Sequence, residues 1–188
     1  LLMKEGGKSG LWLNPDGIPR FIAAQLPSQK TLKGLRAAVA VMSDRASRGV
    51  YRDASGPVIK RALAEKGARV SAVKVLPDEP EKLIAYLKRC AADLIVISGG
   101  TGLGPRDITP ETLEKFCDRM AGNLGELVRQ DGAQVTSRAW LSRATAGVYK
   151  GALIVALPGN PKAAAEGMEA LLPILPHALA MIKGGNHA

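Results

Sequence analysis

Apolar residues recur along the chain from residue 36 onward with two different spacings. Residues 37–42 (AAVAVM) and 94–98 (LIVIS) are short continuous apolar runs, the pattern of strands buried on both faces. Residues 70–76 alternate in character and predict another strand. Between these runs the spacing becomes helical. Val58, Ile59, Ala62 and Leu63 share one stripe of a helix over 57–66, and Leu83, Ile84 and Leu87 share one over 79–90. Thr109-Pro110-Glu111 signals a helix start, with threonine as cap, proline in the first turn and an acid near the positive end. A further helix is predicted over 125–131. Residues 144–149 and 152–157 flank Lys150-Gly151 and predict a hairpin. Asn160-Pro161 repeats the cap-plus-proline start. The helix that follows carries Met168, Leu171, Leu172, Leu175 and Leu179, and Pro173 and Pro176 mark a kink or break in it.

Strand–helix alternation predicts an α/β fold with parallel strands and helices on both faces of the sheet. In such sheets ligands bind beyond the carboxyl ends of the strands. The loops of interest are therefore 43–56, 77–79, 98–109 and 158–162, each directly after a predicted strand. Before residue 31 the pattern is irregular, with Gly6-Gly7, Pro15, Gly17, Pro19 and Pro27. Residues 1–30 read as an extended arm or linker, and residues 31–188 as the folded domain.

The 188 residues, 46% of them hydrophobic, suffice for one real core. No apolar run approaches the ~18 residues of a membrane span, and the first ten residues lack the apolar centre of a signal peptide. The expected compartment is the cytoplasm. The net charge of +9 favours an anionic partner. Only 4% of residues are aromatic, and the basic residues form no dense block, which argues against nucleic acid. A small phosphorylated substrate fits the charge equally well. Cys90 and Cys117 lack CxxC spacing and read as buried reduced thiols, and His177 and His187 as surface residues.

Four segments carry candidate chemistry, and each has a plain structural alternative. Ser98-Gly99-Gly100-Thr101-Gly102 is either a tight turn or a loop whose bare backbone N–H groups converge on a phosphate. Asp107, just before a helix start, is either a capping carboxylate or a Mg²⁺ ligand against a nucleotide. Asp78 is either a turn residue or a second carboxylate beside it. Ser43-Asp44-Arg45 is either a loop with an internal Asp–Arg pair or part of the same edge. Pro158-Gly159-Asn160-Pro161 is either an ordinary turn and cap or a fourth contribution to the site.

As an ordered set, these segments resemble the molybdopterin-binding family of molybdenum cofactor biosynthesis, in particular its molybdopterin adenylyltransferases and its protein B group. The resemblance covers about residues 36 to 183. It rests on Ser43-Asp44-Arg45-Ala46-Ser47 with Gly49, Tyr51 and Asp53, Pro77-Asp78-Glu79, Ser98 to Gly102, Arg106 to Glu111, Leu141-Ser142-Arg143 and Leu157 to Pro161. It implies a three-layer α/β sandwich, a homotrimer or hexamer, and Mg²⁺-assisted adenylylation of molybdopterin by ATP with release of pyrophosphate. Asp107 is then the main catalytic carboxylate and the Mg²⁺ ligand, and Asp78 the second. Ser43, Asp44, Ser98, Gly99, Gly100, Thr101 and Gly102 serve the nucleotide and phosphate. Ser142, Arg143, Pro158, Gly159 and Asn160 belong to the pterin edge. The other function class is a non-catalytic molybdopterin-binding or scaffolding module.

The arm resembles the C-terminal tail of cyclic pyranopterin monophosphate synthase through Leu1-Leu2, Lys4 and Gly6-Gly7-Lys8-Ser9-Gly10. This suggests a piece of a fusion of two enzymes of one pathway, and other enzymes of molybdenum cofactor biosynthesis as partners. The alternative is a flexible glycine–lysine tail.

Overall fold

The continuous apolar runs form the centre of a sheet in the computed structural model, which describes residues 31–184. Its strands are β1 (Arg36–Met42), β2 (Arg69–Val70), β3 (Lys74–Leu76), β4 (Leu94–Ser98), β5 (Arg119–Met120), β6 (Thr145–Tyr149) and β7 (Ala152–Leu157). The helices are α1 (Asp44–Ser47), α2 (Ser55–Glu65), α3 (Pro80–Arg89), α4 (Thr109–Phe116), α5 (Gly122–Ala133), α6 (Pro161–Leu171) and α7 (Leu175–Ile182), with a 3-10 turn at Ser137–Leu141. The sheet order is β2-β1-β4-β7-β6-β5, and β3 pairs with β1 beyond the end of β2. Pairing is parallel from β2 and β3 through β7, while β6 runs opposite to the rest and pairs antiparallel with both β7 and β5. The structure is the α/β architecture expected, with a mostly parallel sheet and the hairpin at its C-terminal side.

Three layers follow from alternate side chains of the central strands. Ala37 and Val39 of β1, Val96 of β4 and Val155 of β7 pack with Ile59 of α2, Val128 of α5 and Met168 of α6. Ala38 and Ala40, Ile95 and Ile97, and Ile154 face the opposite way, onto Leu83 and Leu87 of α3 and Leu113 of α4. The hairpin turn places Lys150 at φ 46° and Gly151 at φ 79°, the left-handed pair that a two-residue connection requires.

Several expectations change in detail. The strand predicted over 70–76 is broken into β2 and β3, with residues 71–73 between them outside the ladder. The helix expected over 125–131 begins at Gly122 and runs to Ala133. The chain breaks after Leu171 and restarts at Leu175, as Pro173 and Pro176 foretold. Both cysteines are half-buried free thiols rather than fully buried ones, and His177 is also half-buried. The expectations for residues 1–30 and for His187 lie outside the described residues. No helix among the described residues is long and apolar enough to cross a membrane.

The register aligns the strand ends that matter. Val41 lies opposite both Val75 and Ser98, and Ser98 lies opposite Leu157. The carboxyl ends of β1, β3, β4 and β7 therefore share one row. Because β6 is antiparallel, it starts in that row, with Thr145 opposite Ala156. At the other edge, Asp93 accepts a hydrogen bond from the Arg36 N–H (2.8 Å) and pairs with Lys183 Nζ (3.0 Å), joining the start of β1 to the end of α7.

Helix α5 presses on the start of β6 at Gly125. A Cβ there would overlap the carbonyl of Ala144 and stand 2.7 Å from Thr145 Cα, all backbone atoms. Gly122, on the same helix, has nothing nearer than 4.0 Å. Alanine improves helix propensity by about 1 kcal/mol inside a helix, where Gly125 lies, and by less at the first residue, Gly122. At Gly125 the overlap outweighs that gain, since overpacking against rigid atoms costs about 1–3 kcal/mol or more. Urea unfolding should therefore show Gly125→Ala clearly destabilised and Gly122→Ala neutral or stabilised. Equal midpoints for the two variants would show that α5 is not seated this tightly.

Candidate active site at the carboxyl edge

The turn after β4 is built around two glycines. Ser98 is fully buried, and its Oγ donates to the Pro158 carbonyl (3.0 Å), tying the end of β4 to the loop after β7. Gly99 and Gly100 follow at φ 99° and 65°, in the left-handed region that side chains resist. A Cβ on Gly99 would also collide with the Met42 carbonyl oxygen of β1. The Thr109 hydroxyl donates to the Gly99 carbonyl (2.9 Å), and its N–H to that of Gly100 (3.0 Å). Thr109 thus closes the loop from its far side and is not the cap of α4. Ile108 occupies that position, with no side-chain cap.

Asp107 does not cap α4 either. Its Oδ2 accepts from the Gly104 N–H (2.8 Å), and its own N–H donates to the Gly104 carbonyl (3.0 Å), so it folds back onto the loop tip. Arg143 approaches the same loop from just before β6. Its N–H donates to Thr101 O (2.7 Å), its Nε to Gly102 O (2.7 Å), and its Nη2 to Asp107 O (2.6 Å). Its Nη1 pairs with Glu111 in the first turn of α4.

The loops after β1 and β3 interlock. Ser43 caps α1 by accepting from the Ala46 N–H (3.2 Å) and shares a hydrogen bond with the Tyr51 hydroxyl (3.0 Å). The internal Asp44–Arg45 pair, one of the two readings of this segment, does not form. Arg45 lies over the Tyr51 ring, 5.4 Å from its centre. Asp44 instead takes the Arg106 fork, with its Oδ2 accepting from Nε (3.0 Å) and Nη2 (2.6 Å). Asp44 and Asp78 also exchange hydrogen bonds. Asp78 Oδ2 accepts from the Asp44 N–H (2.8 Å), and Asp44 Oδ1 from the Asp78 N–H (3.1 Å). The hydrogen bond from Arg106 holds the Asp44 carboxyl below its ordinary range. Burial pushes the Asp78 carboxyl up, the charges of Asp44 and Asp107 add to this, and Arg106 and the Asp44 N–H oppose it.

Two cavities meet at this edge. The first, about 490 Å³, is bordered by Ser43, Asp78, Asp107, Gly159 and the loop from Gly99 to Gly102. The second, about 520 Å³, is bordered by Ser142, Pro158 and Asn160 together with Arg129, Arg138 and Lys162. The turn after β7 is their common wall, since Gly159 and Pro161 face one and Pro158 and Asn160 the other. Asn160 caps α6 as expected, its Oδ1 accepting from the N–H groups of Lys162 (2.9 Å) and Ala163 (3.2 Å). Ser142 Oγ lies 3.5 Å from Thr101 Oγ1, linking the second cavity to the glycine loop.

Asp44 and Ser98 line neither space, since their polar atoms hold other loops. Arg143 lies on a third, outer cavity of about 480 Å³, which Asp107 and Glu111 also border. Sequence reasoning did not assign Arg52 or Arg106 to the first cavity, nor the three basic residues to the second. The identity of Arg106 as neighbour of Asp107 was visible, but its partner Asp44 lies 62 positions away.

Among the described residues, no group of three or more His, Cys, Asp or Glu side chains converges to hold a metal ion. Asp78 and Asp107 supply two carboxylates to one cavity. That donor set suits Mg²⁺, which commonly takes one or two carboxylates and completes its shell with water and substrate phosphate oxygens.

The family described as a probable molybdopterin binding domain matches residues 38–177. Over 190 aligned positions, spanning all of this chain, the sequence is 38% identical to a molybdenum cofactor biosynthesis bifunctional protein of Synechococcus elongatus. The chain covers 58% of that protein and 50% of its counterpart in Chlorobaculum tepidum, so it spans about half the length of these curated relatives. It is 39% identical over 148 residues to the molybdopterin adenylyltransferase of Helicobacter pylori, covering 76% of this chain and 84% of that one. The crystal structure of the molybdopterin biosynthesis enzyme MoaB from Thermus thermophilus superposes with a TM-score of 0.75 at 40% identity, covering 82% of this chain and 99% of the other. The chain thus belongs to the molybdopterin-binding domain family of molybdenum cofactor biosynthesis.

Proposed function

We propose that this chain catalyses the Mg²⁺-dependent adenylylation of molybdopterin by ATP. One observation carries the reading. A cavity with a glycine loop and two carboxylates shares a wall with a cavity bearing three basic side chains. Two phosphorylated substrates can meet across that wall. ATP occupies the first cavity, with the backbone of Gly99 to Gly102 along its phosphates. Molybdopterin occupies the second, its terminal phosphate drawn by Arg129, Arg138 and Lys162. An oxygen of that phosphate bonds to the α-phosphorus of ATP. The bond from that phosphorus to the bridging oxygen of the β-phosphate breaks, and pyrophosphate leaves with the electron pair. Phosphoryl-type transfer of this kind needs placement and charge neutralisation more than covalent help. Asp107, with Asp78 beside it, would hold Mg²⁺, which would supply the charge neutralisation. The net charge of +9 suits two anionic substrates.

The relatives named molybdopterin adenylyltransferase support this assignment. The bifunctional relative also matches the whole chain, which supports reading residues 1–30 as the joining segment behind an upstream synthase domain. The cytoplasm, with its ATP, is the proposed compartment, and other enzymes of the pathway are the proposed partners.

Asp107→Asn keeps the side-chain volume and the bond to Gly104 but removes the charge. Pyrophosphate release should fall about 10²–10³-fold, with molybdopterin affinity nearly unchanged. A folded variant at the wild-type rate would remove Asp107 from the mechanism. If wild-type protein binds molybdopterin but releases no pyrophosphate with ATP and Mg²⁺, the chain is a non-catalytic binding module.

The two-cavity assignment has its own test. Arg138→Ala and Lys162→Ala should each raise the KM for molybdopterin by about tenfold or more, since a hydrogen bond to a charged group contributes about 1.5–3 kcal/mol. The KM for ATP should stay within a factor of about two. A reversed pattern would exchange the occupants.

A homotrimer or hexamer is part of the same proposal. Val135, Trp140 and Leu141 are more than half exposed on one short segment, an apolar group suited to burial against another copy. Light scattering at micromolar concentration should give a trimeric or hexameric mass, and a monomer would refute the assembly.

A further inference from the structure

Arg143 has the position of a brace. It lies on the chain entering β6, yet its contacts fall on a loop between β4 and α4, more than thirty residues earlier. The guanidinium takes two carbonyls, Gly102 O at 2.7 Å and Asp107 O at 2.6 Å, which stand at the two ends of the loop tip. The Arg143 N–H adds Thr101 O at 2.7 Å, and Glu111 fixes the remaining arm of the guanidinium. The glycines at 102 and 104 give this tip little stiffness of its own. Asp107 Oδ2 in turn closes the tip through the Gly104 N–H. The position of the Asp107 carboxylate therefore depends on a clasp whose outer half is Arg143. Ser142, its neighbour, borders the second cavity, whereas Arg143 borders the outer one.

We propose that Arg143 is a positioning residue for Asp107. One guanidinium grips the carbonyls of Gly102 and Asp107 and so fixes the Asp107 carboxylate at the wall of the first cavity. Resemblance alone assigned Arg143 to the pterin edge, and the geometry assigns it to the loop instead. Lysine cannot replace it. An ammonium is a compact point donor and lacks the planar fork needed to hold two carbonyls and Glu111 in fixed directions.

The kinetic half of the test rests on the adenylyl-transfer reading, and the exchange half does not. Arg143→Lys and Arg143→Gln are compared with wild type by amide hydrogen exchange. The loop amides of Asp107 and Thr109, bonded to Gly104 O and Gly100 O, should exchange at least about tenfold faster, while the amides of β4 stay protected. In the same variants kcat should fall about 10–100-fold with the KM for molybdopterin within about twofold, as misplacement of a catalytic group predicts. The double variant Asp107→Asn with Arg143→Lys should be no slower than Asp107→Asn alone, because both changes act through one group. Three results overturn the proposal. They are unchanged loop protection, loop and β4 amides accelerating together, and a raised KM for molybdopterin at constant kcat. The last would make Arg143 a direct substrate contact. Wild-type protein without pyrophosphate release would defeat the adenylyl-transfer reading, and the exchange result would still decide the role of Arg143.

Discussion

Between the last residue of β1 and the first residue after β4 there is no room for a side chain. The Met42 carbonyl stands where a Cβ on Gly99 would be. The backbone also turns left-handed at Gly99 and again at Gly100. Only glycine accepts both conditions at low cost. Everything at the carboxyl edge depends on that turn. It brings Gly99 O and Gly100 O to Thr109, which fixes where α4 begins. It leaves Gly102 and Asp107 facing Arg143, and Arg106 within reach of Asp44. The parallel register of β1, β4 and β7 then sets the neighbouring loops at one height, so the turn after β7 can lean on the same loop through Ser98 and Pro158.

The charges of the edge form a graded set. Asp44 is neutralised by Arg106 and holds other groups in place. Asp78 accepts a backbone N–H, lies partly buried and feels two carboxylate neighbours. Asp107 sits on the loop tip and borders two spaces at once. Three aspartates of one kind thus have three environments. At Asp44 the Arg106 hydrogen bond dominates, at Asp78 burial does, and Asp107 folds back onto the Gly104 N–H.

Local chemistry was legible in the sequence, and long-range chemistry was not. The glycine turn, the Asn160 cap, the Lys150-Gly151 hairpin and the proline break near residue 173 each depend on a few adjacent residues. Continuous apolar runs marked β1 and β4 because both are buried on both faces, and Lys150-Gly151 marked β6 and β7 as a hairpin. The two-residue strand β5 is too short for any periodicity, and β2 and β3 are edge pieces whose break leaves no apolar signature. Thr109 looked like a cap because the cap signal is local, whereas its acceptor, Gly99 O, comes from ten residues earlier. A pair with the adjacent Arg45 was one reading of Asp44 for the same reason, and the partner it has, Arg106, needed the fold. The role of Arg143 was not legible because its partners, Gly102 O and Asp107 O, lie 41 and 36 residues earlier in the chain.

The link from Asp93 to Arg36 and Lys183 has a consequence for larger assemblies. It ties the first strand to the last helix at the amino edge, so both ends of the described chain emerge there. The cavities open at the opposite edge, across the whole length of the strands. Whatever continues the chain past residues 31 and 184 therefore begins on the side of the sheet away from the two cavities.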